Sequence, residues 1–447
     1  MKILVVKSLT ESRWGSCKVI SPNLSQLYSK LEPEFSIDWF ELPQDLLKWE
    51  VLASDFIIAK FCSHVEQTNP DRIVFVDHLP QPALVLTYLS MLLNFKKLPP
   101  IIFHVYGDFS YFAKEWILLN DNLIGLPVRF IVASDSQKRL LENFLFNAQS
   151  EDVGIDKLCF PVNSKEYYFN KEERESYRLE LGLNDSDIVI LYSGRISLQK
   201  NVDILINEFL KIKKENKRFH LWIAGAFDDV GADFMGYESY HGYMFSKIHS
   251  LLSQASLEDQ SRIKFLGHQR KAALRKIKSA ADIFASFSLY HDEDYGMSPA
   301  EALATGLSTI LTDWGGYSSF ASQDKWDCQL IPVSLSQYGF ELNLQPFHDK
   351  IDRYVKERDC LNKREQRSRD FLKEFSINQN VANLAHILKK KPIHFSGFNW
   401  LLDQYAVALS ENWSKNKFNK FLSPGSDGYY YGIYKNYISG LNRENSK

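Results

Sequence analysis

Short apolar runs alternate with stretches of helical periodicity along most of the chain, and this alternation is the strongest structural pattern in the sequence. The apolar runs predict buried strands, and apolar positions three and four residues apart between them predict amphipathic helices. Strands that alternate with helices form parallel sheets with helices on both faces. The predicted strands of the first part are Ile3–Val6, Ser36–Phe40, Phe56–Ala59, Ile73–Val76, Ile101–Val105, Phe130–Ala133 and Leu158–Pro161. Those of the second part are Ile188–Tyr192, His220–Ala224, Ile263–Leu266, Ile283–Phe287, Ser308–Leu311 and Gln329–Pro332.

These strands divide into two sets, each large enough for a doubly wound domain of about six strands. Residues 163–186 between the sets are highly charged and have weak strand character, which is typical of a surface helix or linker. We therefore predict an N-terminal Rossmann-like domain over residues 1–170 and a second one over residues 171–377. Residues 378–447 are predicted to contain one more helix, Asn378–Lys390, and then an aromatic tail.

Composition and charge narrow the class of protein. Hydrophobic residues make up 45% and charged residues 24% of the 447 residues, which is ordinary for a folded protein. The formal net charge of −2 provides no global field for nucleic acid or for an anionic membrane, so no nucleic-acid partner is predicted. The five cysteines are odd in number and far apart, which argues against a disulfide framework and against a zinc site. They favour a reducing, cytoplasmic location.

Membrane insertion is not predicted. The apolar run at the N-terminus is too short for a secretory signal and is predicted to be the first strand. The longest apolar stretch, Pro82–Phe95, is shorter than the roughly 20 residues that span a bilayer. We predict that it is a buried helix, and a helix lying at the inner face of a membrane is the alternative.

A sheet of this type first suggests a dinucleotide-binding enzyme, whose fingerprint is G-x-G-x-x-G directly after the first strand. The segment after Ile3–Val6 contains one glycine, Gly15, and the segment after Ile188–Tyr192 also lacks the three glycines. The sequence therefore argues against a dinucleotide-dependent oxidoreductase.

A glycine, an arginine and a lysine follow the first strand of the second domain. Gly194 and Arg195 come directly after Ile188–Tyr192 and Ser193, and Lys200 precedes a helix that is predicted from Val202. Open α/β sheets bind ligands at the carboxyl ends of their strands, and a helix start offers free N–H groups to phosphate. The pattern predicts a phosphate site, while a solvated arginine and lysine on a loop remain the alternative.

Two glutamates, Glu293 and Glu301, flank a predicted helix start after Ile283–Phe287. Gly296 lets backbone approach a ligand closely, and Ser298 and Pro299 suit the N-cap and the first helical position. Glu301 alternatively completes a capping box with Ser298. Glu293 is alternatively part of a solvated acidic loop, and a metal bound by that loop is a further alternative.

These residues together resemble the donor domain of the retaining glycosyltransferases of family 4, which have the GT-B fold. The family shows G-R-x4/5-K, matched by Gly194, Arg195 and Lys200, and then E-x-F-G-x4-E-A-x-A-x-G, matched from Glu293 to Gly306. A glycine pair after the next strand is matched by Gly315–Gly316. The resemblance covers residues 185–320 well. It implies an α/β GT-B fold, in which two Rossmann-like doubly wound domains face each other across a cleft.

The resemblance is looser in the N-terminal half. His104 resembles the family's histidine at the rim of the acceptor domain, and Gly15 resembles its glycine-rich loop, although the family usually has two glycines there. His78 is a weaker candidate at the end of another strand. For His104 the alternative is a strand-end histidine satisfied by local structure. The residues beyond 391 lie outside the resemblance.

The resemblance implies transfer of a sugar from a nucleotide-diphosphate sugar, with UDP-sugars favoured, to a glycan, lipid-linked or protein acceptor. Same-face attack retains the anomeric configuration, and no metal and no other cofactor are required. Arg195 and Lys200 would stabilise the leaving diphosphate, and Glu301 would accept hydrogen bonds from the ribose hydroxyls. Glu293 would face the donor sugar. His104 would contact the sugar or orient the acceptor.

The backbone of Gly296, Met297 and Ser298 would approach the sugar hydroxyls or the phosphates. Two other classes of function remain open: a non-catalytic partner or scaffold protein that keeps the fold, and a sugar-nucleotide epimerase or phosphorylase on the same architecture. The aromatic tail, with Trp400 and Tyr429, is expected to cross back to the first domain or to bind a protein partner or a membrane.

Overall fold

The structure is a computed structural model of the full chain. It describes residues 1–8, 16–42, 51–76, 85–86, 88–89, 91, 98–106, 109, 113–146, 152–212, 219–228, 242–290, 292–322, 324–336, 339–357, 360–404 and 406. The described residues form two compact units. The first unit combines residues 1–161 with the described residues from 377 onward, and the second unit is the continuous segment 162–376.

The first unit is an α/β layer structure around one sheet. Its strands are β1 (Lys2–Ser8), β2 (Ser36–Leu42), β3 (Arg72–Phe75), β4 (Ile101–Val105), β5 (Pro127–Val132) and β6 (Ile155–Lys157). Its helices up to this point are α1 (Cys17–Ser29), α2 (Val51–Thr68), α3 (Ala113–Leu123) and α4 (Asp135–Glu142). Strands β1 to β5 pair in parallel in the order β5-β4-β3-β1-β2, and β6 pairs with β5.

The second unit repeats this plan with a parallel sheet of its own. Its strands are β7 (Ile188–Ser193), β8 (Phe219–Ala224), β9 (Ile263–Gly267), β10 (Ile283–Ser286), β11 (Ser308–Thr312) and β12 (Cys328–Ile331), followed by the hairpin β13 (Val333–Ser336) and β14 (Gly339–Leu342). Its helices are α5 (Lys171–Glu180), α6 (Val202–Leu210), α7 (Tyr243–Ser253), α8 (Leu257–Ser261), α9 (Lys271–Ala280), α10 (Met297–Ala304), α11 (Gln345–Glu357) and α12 (Leu361–Phe375).

Most strand predictions are confirmed, and the exceptions have physical reasons. The predicted strand Phe56–Ala59 is wrong, because these residues lie inside helix α2. A short apolar run does not by itself separate a strand from a buried helix. The predicted strand Leu158–Pro161 is displaced, since the strand is β6 just before it. The predicted helix Pro82–Phe95 lies largely outside the described residues. None of the described helices is both long and apolar enough to span a bilayer.

The order of strands in the second unit creates a switch point. The sheet runs β12-β11-β10-β7-β8-β9, so the chain proceeds outward from β7 to β9 and then returns to the other side of β7 with β10. Neighbouring loops at the carboxyl ends of β7 and β10 therefore leave in opposite directions. Such a switch point forms the crevice in which open α/β sheets bind ligands. Strands β7 to β12 of this sheet all pair in parallel.

The opposite, amino-terminal ends of β7 and β10 are fixed by a buried ion-pair network. The carboxylate of Asp282 accepts hydrogen bonds from Arg174 at 2.6 Å, from Arg178 at 3.1 Å and from the N–H of Val189 at 2.8 Å. Burial raises the pKa of Asp282, but the two arginines and the backbone N–H outweigh it and hold that pKa below its ordinary value. Helix α5 is thereby fixed to the sheet that carries the ligand loops.

The chain returns to the first unit after α12. Helix α13 (Ile377–Lys389) packs on α1, and β15 (Ile393–His394) adds an antiparallel strand to the edge at β5. The buried guanidinium of Arg72 donates to the carbonyl of Leu388 at 2.7 Å and to that of Lys390 at 2.8 Å. The first unit is therefore completed by residues that follow the second unit in sequence.

Candidate functional site

Arg195 and Lys200 lie in the loop between β7 and α6, and both are partly buried and paired. Arg195 Nη1 lies 2.7 Å from Asp228 Oδ2, and Lys200 Nζ lies 2.5 Å from Glu293 Oε2. The side chain of Arg195 is 30% exposed and that of Lys200 is 14% exposed. The alternative of two solvated loop cations is therefore wrong. Lys200 ends a short 3-10 helix directly before α6, where its pairing with Glu293 offsets the unfavourable helix dipole.

Glu293 is a buried residue at the carboxyl end of β10. In addition to Lys200, its Oε2 accepts a hydrogen bond from the Ser288 hydroxyl at 2.6 Å. Its backbone carbonyl accepts from the N–H of Gly316 at 2.6 Å, which ties this loop to the loop after β11. Glu293 is 6% exposed, so the alternative of a solvated acidic loop is wrong for this residue.

Both cations lie close to one aromatic ring. Lys200 Nζ lies 4.7 Å from the ring centroid of Tyr290, and the guanidinium carbon of Arg195 lies 5.5 Å from it. The indole of Trp314 donates to the carbonyl of Tyr290 at 2.7 Å and fixes the position of this residue. Cations are attracted to the face of an aromatic ring at such distances. Sequence reasoning missed Tyr290, because no local pattern links it to the β7 loop.

Helix α10 begins two residues earlier than predicted. Gly296 is its N-cap, with a φ of 103° that favours glycine, and a Cβ there would lie 2.5 Å from the ring of Tyr317. Ser298 is therefore inside the helix, and the predicted N-cap role of Ser298 is wrong. Its hydroxyl instead hydrogen-bonds the hydroxyl of Ser193, at the end of β7. The start of α10 is thus attached directly to the switch point.

Glu301 lies on the first turns of α10 and is 4% exposed. The capping-box alternative is wrong, because its carboxylate accepts a hydrogen bond from the ammonium group of Lys278 on α9. Burial and then the nearby charge of Glu301 raise the pKa of the Tyr167 hydroxyl. Sequence reasoning missed Lys278, although a signal existed. This lysine continues the apolar stripe of α9 formed by Leu274 and Ile277, and a lysine in such a stripe requires a buried partner.

The switch point therefore gathers two ion pairs, Arg195 with Asp228 and Lys200 with Glu293. An anion that enters meets two preorganised cations and the amino end of α10, which favours negative charge. The arrangement is suited to hold a diphosphate and to stabilise charge that develops on it. Among the residues that the structure describes, no group of three or more His, Cys, Asp or Glu side chains could hold a metal ion.

In the first unit, His104 is a buried residue of β4. Its Nε2 shares a hydrogen bond of 2.8 Å with the hydroxyl of Tyr28, and the residue is 1% exposed. Burial lowers the pKa of His104 to about 3, so its ring is neutral at physiological pH. These contacts match the alternative of a histidine satisfied by local structure, and its role toward a sugar stays a prediction. Gly15 and His78 lie outside the described residues.

Comparison with known proteins bears directly on the unit that contains this switch point. The family model of glycosyl transferases group 1 matches residues 173–369. This segment is similar to the glycosyl transferases group 1 family. It contains Gly194, Arg195, Lys200, Glu293 and Glu301, which the structure brings to one end of one sheet. The predicted residues His104 and Gly15 lie outside it.

Individual curated relatives match part of the chain. An uncharacterized glycosyltransferase of Methanocaldococcus jannaschii is 27% identical over 38% of this chain and 39% of its own length. Mannosylfructose-phosphate synthase of Agrobacterium fabrum is 26% identical over 44% of this chain and 39% of its own length. The matched part of the chain thus spans about two fifths of the length of these curated relatives.

A solved structure extends the likeness beyond residues 173–369. Anabaena HepE in complex with UDP and glucose superposes with a TM-score of 0.60 at 14% identity. The likeness covers 87% of this chain and 99% of HepE. At this identity the likeness concerns the fold, and it confirms the predicted GT-B class with its two Rossmann-like domains.

Proposed function

We propose that the protein is a retaining glycosyltransferase that moves a sugar from a nucleotide-diphosphate sugar, a UDP-sugar above all, to a glycan, lipid-linked or protein acceptor. The observation that carries the proposal is the set Arg195, Lys200, Glu293 and Glu301 at the switch point of the unit that matches the glycosyl transferases group 1 family. The mannosylfructose-phosphate synthase and the UDP- and glucose-bound HepE described above also support it.

The proposed reaction replaces one bond of the anomeric carbon with another. The bond from this carbon to the oxygen of the diphosphate breaks, and a bond to the acceptor oxygen forms on the same face. The acceptor proton passes to the departing diphosphate, so no covalent bond to the protein is needed. Negative charge grows on the diphosphate as the bond breaks, and Arg195 and Lys200 are positioned to stabilise that charge more in the transition state than in the ground state.

The remaining residues of the site contact the ribose and the sugar of the donor. Glu301 accepts hydrogen bonds from the ribose hydroxyls, since a carboxylate is suited to two neighbouring hydroxyl donors. Glu293 faces the sugar, and its pairing with Lys200 couples the sugar site to the phosphate site. The backbone of Gly296, Met297 and Ser298 approaches the sugar or the phosphates at the amino end of α10.

Ligand-induced stabilisation tests the donor half of the proposal. Thermal unfolding is measured with UDP, GDP and ADP and with their common sugar conjugates, because a ligand present at 100 times its Kd stabilises the folded state by about 2.7 kcal/mol. Arg195→Ala and Lys200→Ala are each expected to weaken binding by roughly 10- to 100-fold, as lost hydrogen bonds to charged groups do. Arg369→Ala is the control, because Arg369 is exposed and pairs with Glu365 and Gln366 on α12.

The outcomes separate the candidate functions. If no nucleotide or nucleotide sugar stabilises the wild-type protein at millimolar concentration, the proposal is wrong. Binding without turnover on a panel of glycan, lipid-linked and protein acceptors would favour a scaffold protein. Epimerisation of the donor in the absence of any acceptor would favour an epimerase. Turnover that survives EDTA is the result expected for a metal-independent enzyme.

A further inference from the structure

Lys278 is a fully buried cation whose ammonium group contacts Glu301. Its side chain is 0% exposed, and Nζ hydrogen-bonds Oε2 of that glutamate. Burial lowers the pKa of Lys278, and the charge of Glu301 opposes this effect. A buried ammonium group without a partner is strongly unfavourable, so the burial of Lys278 requires the carboxylate of Glu301 beside it.

Tyr167 contacts both members of this pair. Burial and then the charge of Glu301 raise the pKa of its hydroxyl, and its ring centroid lies 5.2 Å from Nζ of Lys278. Tyr167 is 2% exposed, so its ring has little freedom to move. The carboxylate of Glu301 is therefore held from two elements, helix α9 and the segment before α5, neither of which belongs to its own helix.

The stability of the fold does not by itself explain a buried pair of this kind. Replacing a buried ion pair with well-packed apolar residues is often neutral or stabilising, because the pair must first be desolvated. The pair is also placed where a ligand is expected. Glu301 is three residues from Ser298, whose hydroxyl reaches Ser193 at the switch point. An oriented carboxylate at this position is useful for binding.

We infer that Lys278 and Tyr167 are positioning residues that hold Glu301 as an oriented acceptor for the ribose hydroxyls of the donor nucleotide. The inference rests on the proposed function, which gives Glu301 its ribose-binding role. Two vicinal hydroxyls donate in fixed directions, so a carboxylate that is already held in place loses less freedom on binding. Removing either holder should therefore reduce recognition of the ribose more than recognition of the diphosphate.

The experiment compares a ribonucleoside diphosphate with its 2′-deoxy counterpart. Calorimetry gives Kd for UDP and 2′-deoxy-UDP, or for the GDP or ADP pair if that base binds the wild type more tightly. Loss of a hydrogen bond to a charged group should weaken binding to the wild type by roughly 10- to 100-fold. In Lys278→Met the ratio of the Kd for the 2′-deoxynucleotide to the Kd for the ribonucleotide is expected to fall to about threefold or less. In Tyr167→Phe it is expected to fall to an intermediate value, since Lys278 still holds the carboxylate in that variant.

Lys350→Met is the matched control. Lys350 is also buried, with its side chain 2% exposed, and it also pairs with one carboxylate, that of Asp327. Its replacement should cost comparable stability and leave the ribose-to-deoxyribose ratio unchanged. If circular dichroism shows Lys278→Met to be unfolded, Tyr167→Phe and the charge-neutral double variant Lys278→Met/Glu301→Gln decide the question. The double variant is expected to have no remaining preference for the ribose.

The outcomes keep the inference separate from the proposed function. A wild-type protein that binds no nucleotide at all contradicts the proposed function. A wild type that binds UDP and 2′-deoxy-UDP equally overturns the inference alone, because Glu301 would then have no role toward the ribose. The inference is also overturned if Lys278→Met or Tyr167→Phe is folded and keeps the wild-type ratio of the two Kd values. It is likewise overturned if Lys350→Met lowers that ratio as much as Lys278→Met does.

Discussion

Individual side chains at the switch point are paired with one another, and this pairing has consequences for affinity. Arg195 is engaged by Asp228 and Lys200 by Glu293, so a diphosphate must compete with carboxylates for both cations. Each cation makes strong charged hydrogen bonds, whether its partner is the carboxylate or the diphosphate. The net free energy of binding is the difference between these two sets of hydrogen bonds. The proposed donor affinity should therefore depend on the acids of the site as well as on its bases.

We expect Asp228→Asn to bind UDP more tightly than the wild type, by about 3- to 10-fold. The substitution removes the negative charge that competes for Arg195 and repels an incoming anion, which near a protein surface is worth about 1 kcal/mol. Calorimetry checks the result. Asp203→Asn is the control, because its ion pair with Lys247 is similarly short, at 2.6 Å against 2.7 Å, and similarly buried. Equal or weaker affinity in Asp228→Asn would contradict the expectation.

His104 should make the protein sensitive to acid. The ordinary histidine pKa is 6.5, whereas burial lowers that of His104 to about 3 in the folded state. Below pH 6.5 the unfolded chain binds a proton that the folded chain does not, so stability is full above that pH and falls by up to about 1.4 kcal/mol per pH unit as pH decreases toward 3.

Urea unfolding of His104→Gln at pH 7, 6 and 5 tests this dependence. The amide can keep a hydrogen bond to Tyr28 but cannot take up a proton. The variant should therefore lose less stability than the wild type between pH 7 and 5, while His249→Gln, which changes an exposed ring, should follow the wild type. The same slope in all three proteins would be the contrary result.

Elements of the second unit approach each other closely at the site. The turn after β8 touches the turn after β7, where a Cβ on Gly225 would lie 1.7 Å from the carbonyl oxygen of Gly194. No side chain can be accommodated at that distance without moving backbone. The approach places the loop that carries Asp228 beside the loop that carries Arg195, so the ion pair depends on a glycine that takes no part in it.

Gly225→Ala is expected to lower the free energy of unfolding by about 2–3 kcal/mol, as overpacking does, and to weaken UDP binding by displacing Arg195. Gly182→Ala is the control, since nothing lies within 4 Å of its Cβ position and only its φ of 68° is unfavourable. That variant should lose about 1 kcal/mol and keep its affinity. Chemical denaturation and calorimetry measure both effects, and equal losses in the two variants would argue against the close approach.

At the scale of the whole molecule, the second unit interrupts the first. The first unit ends at Pro161 and resumes at Ile377, whereas the second runs without a break from Val162 to Ser376. The resumed segment supplies strand β15. It also supplies backbone carbonyl groups that accept hydrogen bonds from the buried side chains of Arg72 and Arg129. The first unit therefore depends on residues from both sides of the second.

This arrangement predicts that the two units differ in their ability to fold cooperatively when they are produced separately. A polypeptide of residues 162–376 should unfold cooperatively in urea, because its sheet and its ion pairs are internal. A polypeptide of residues 1–161 should not, because buried arginine donors would lack their acceptors, at a cost of about 1–3 kcal/mol for each unsatisfied group. Adding residues 377–411 as a second polypeptide should restore a transition. Cooperative unfolding of residues 1–161 alone would be contrary to the expectation.

Part of the site was predictable because its signals are local. The glycine, arginine and lysine after one strand and the two glutamates after another are recognisable by spacing, and both strands were predicted within a residue or two of β7 and β10. The helix start was misplaced, because Ser298 and Pro299 suit an N-terminus by composition, while the position of Gly296 under the ring of Tyr317 depends on a contact that is remote in sequence.

The sequence by itself determined the alternation of strands and helices, and therefore two parallel sheets, because hydrophobic periodicity is a local consequence of burial. It also determined which residues follow the strand ends. Only the tertiary structure decided the partners: Asp228 for Arg195, Lys278 and Tyr167 for Glu301, and Tyr28 for His104. Partners at large sequence separation are selected by packing and by the need to satisfy buried charge, and neither leaves a local pattern in the chain.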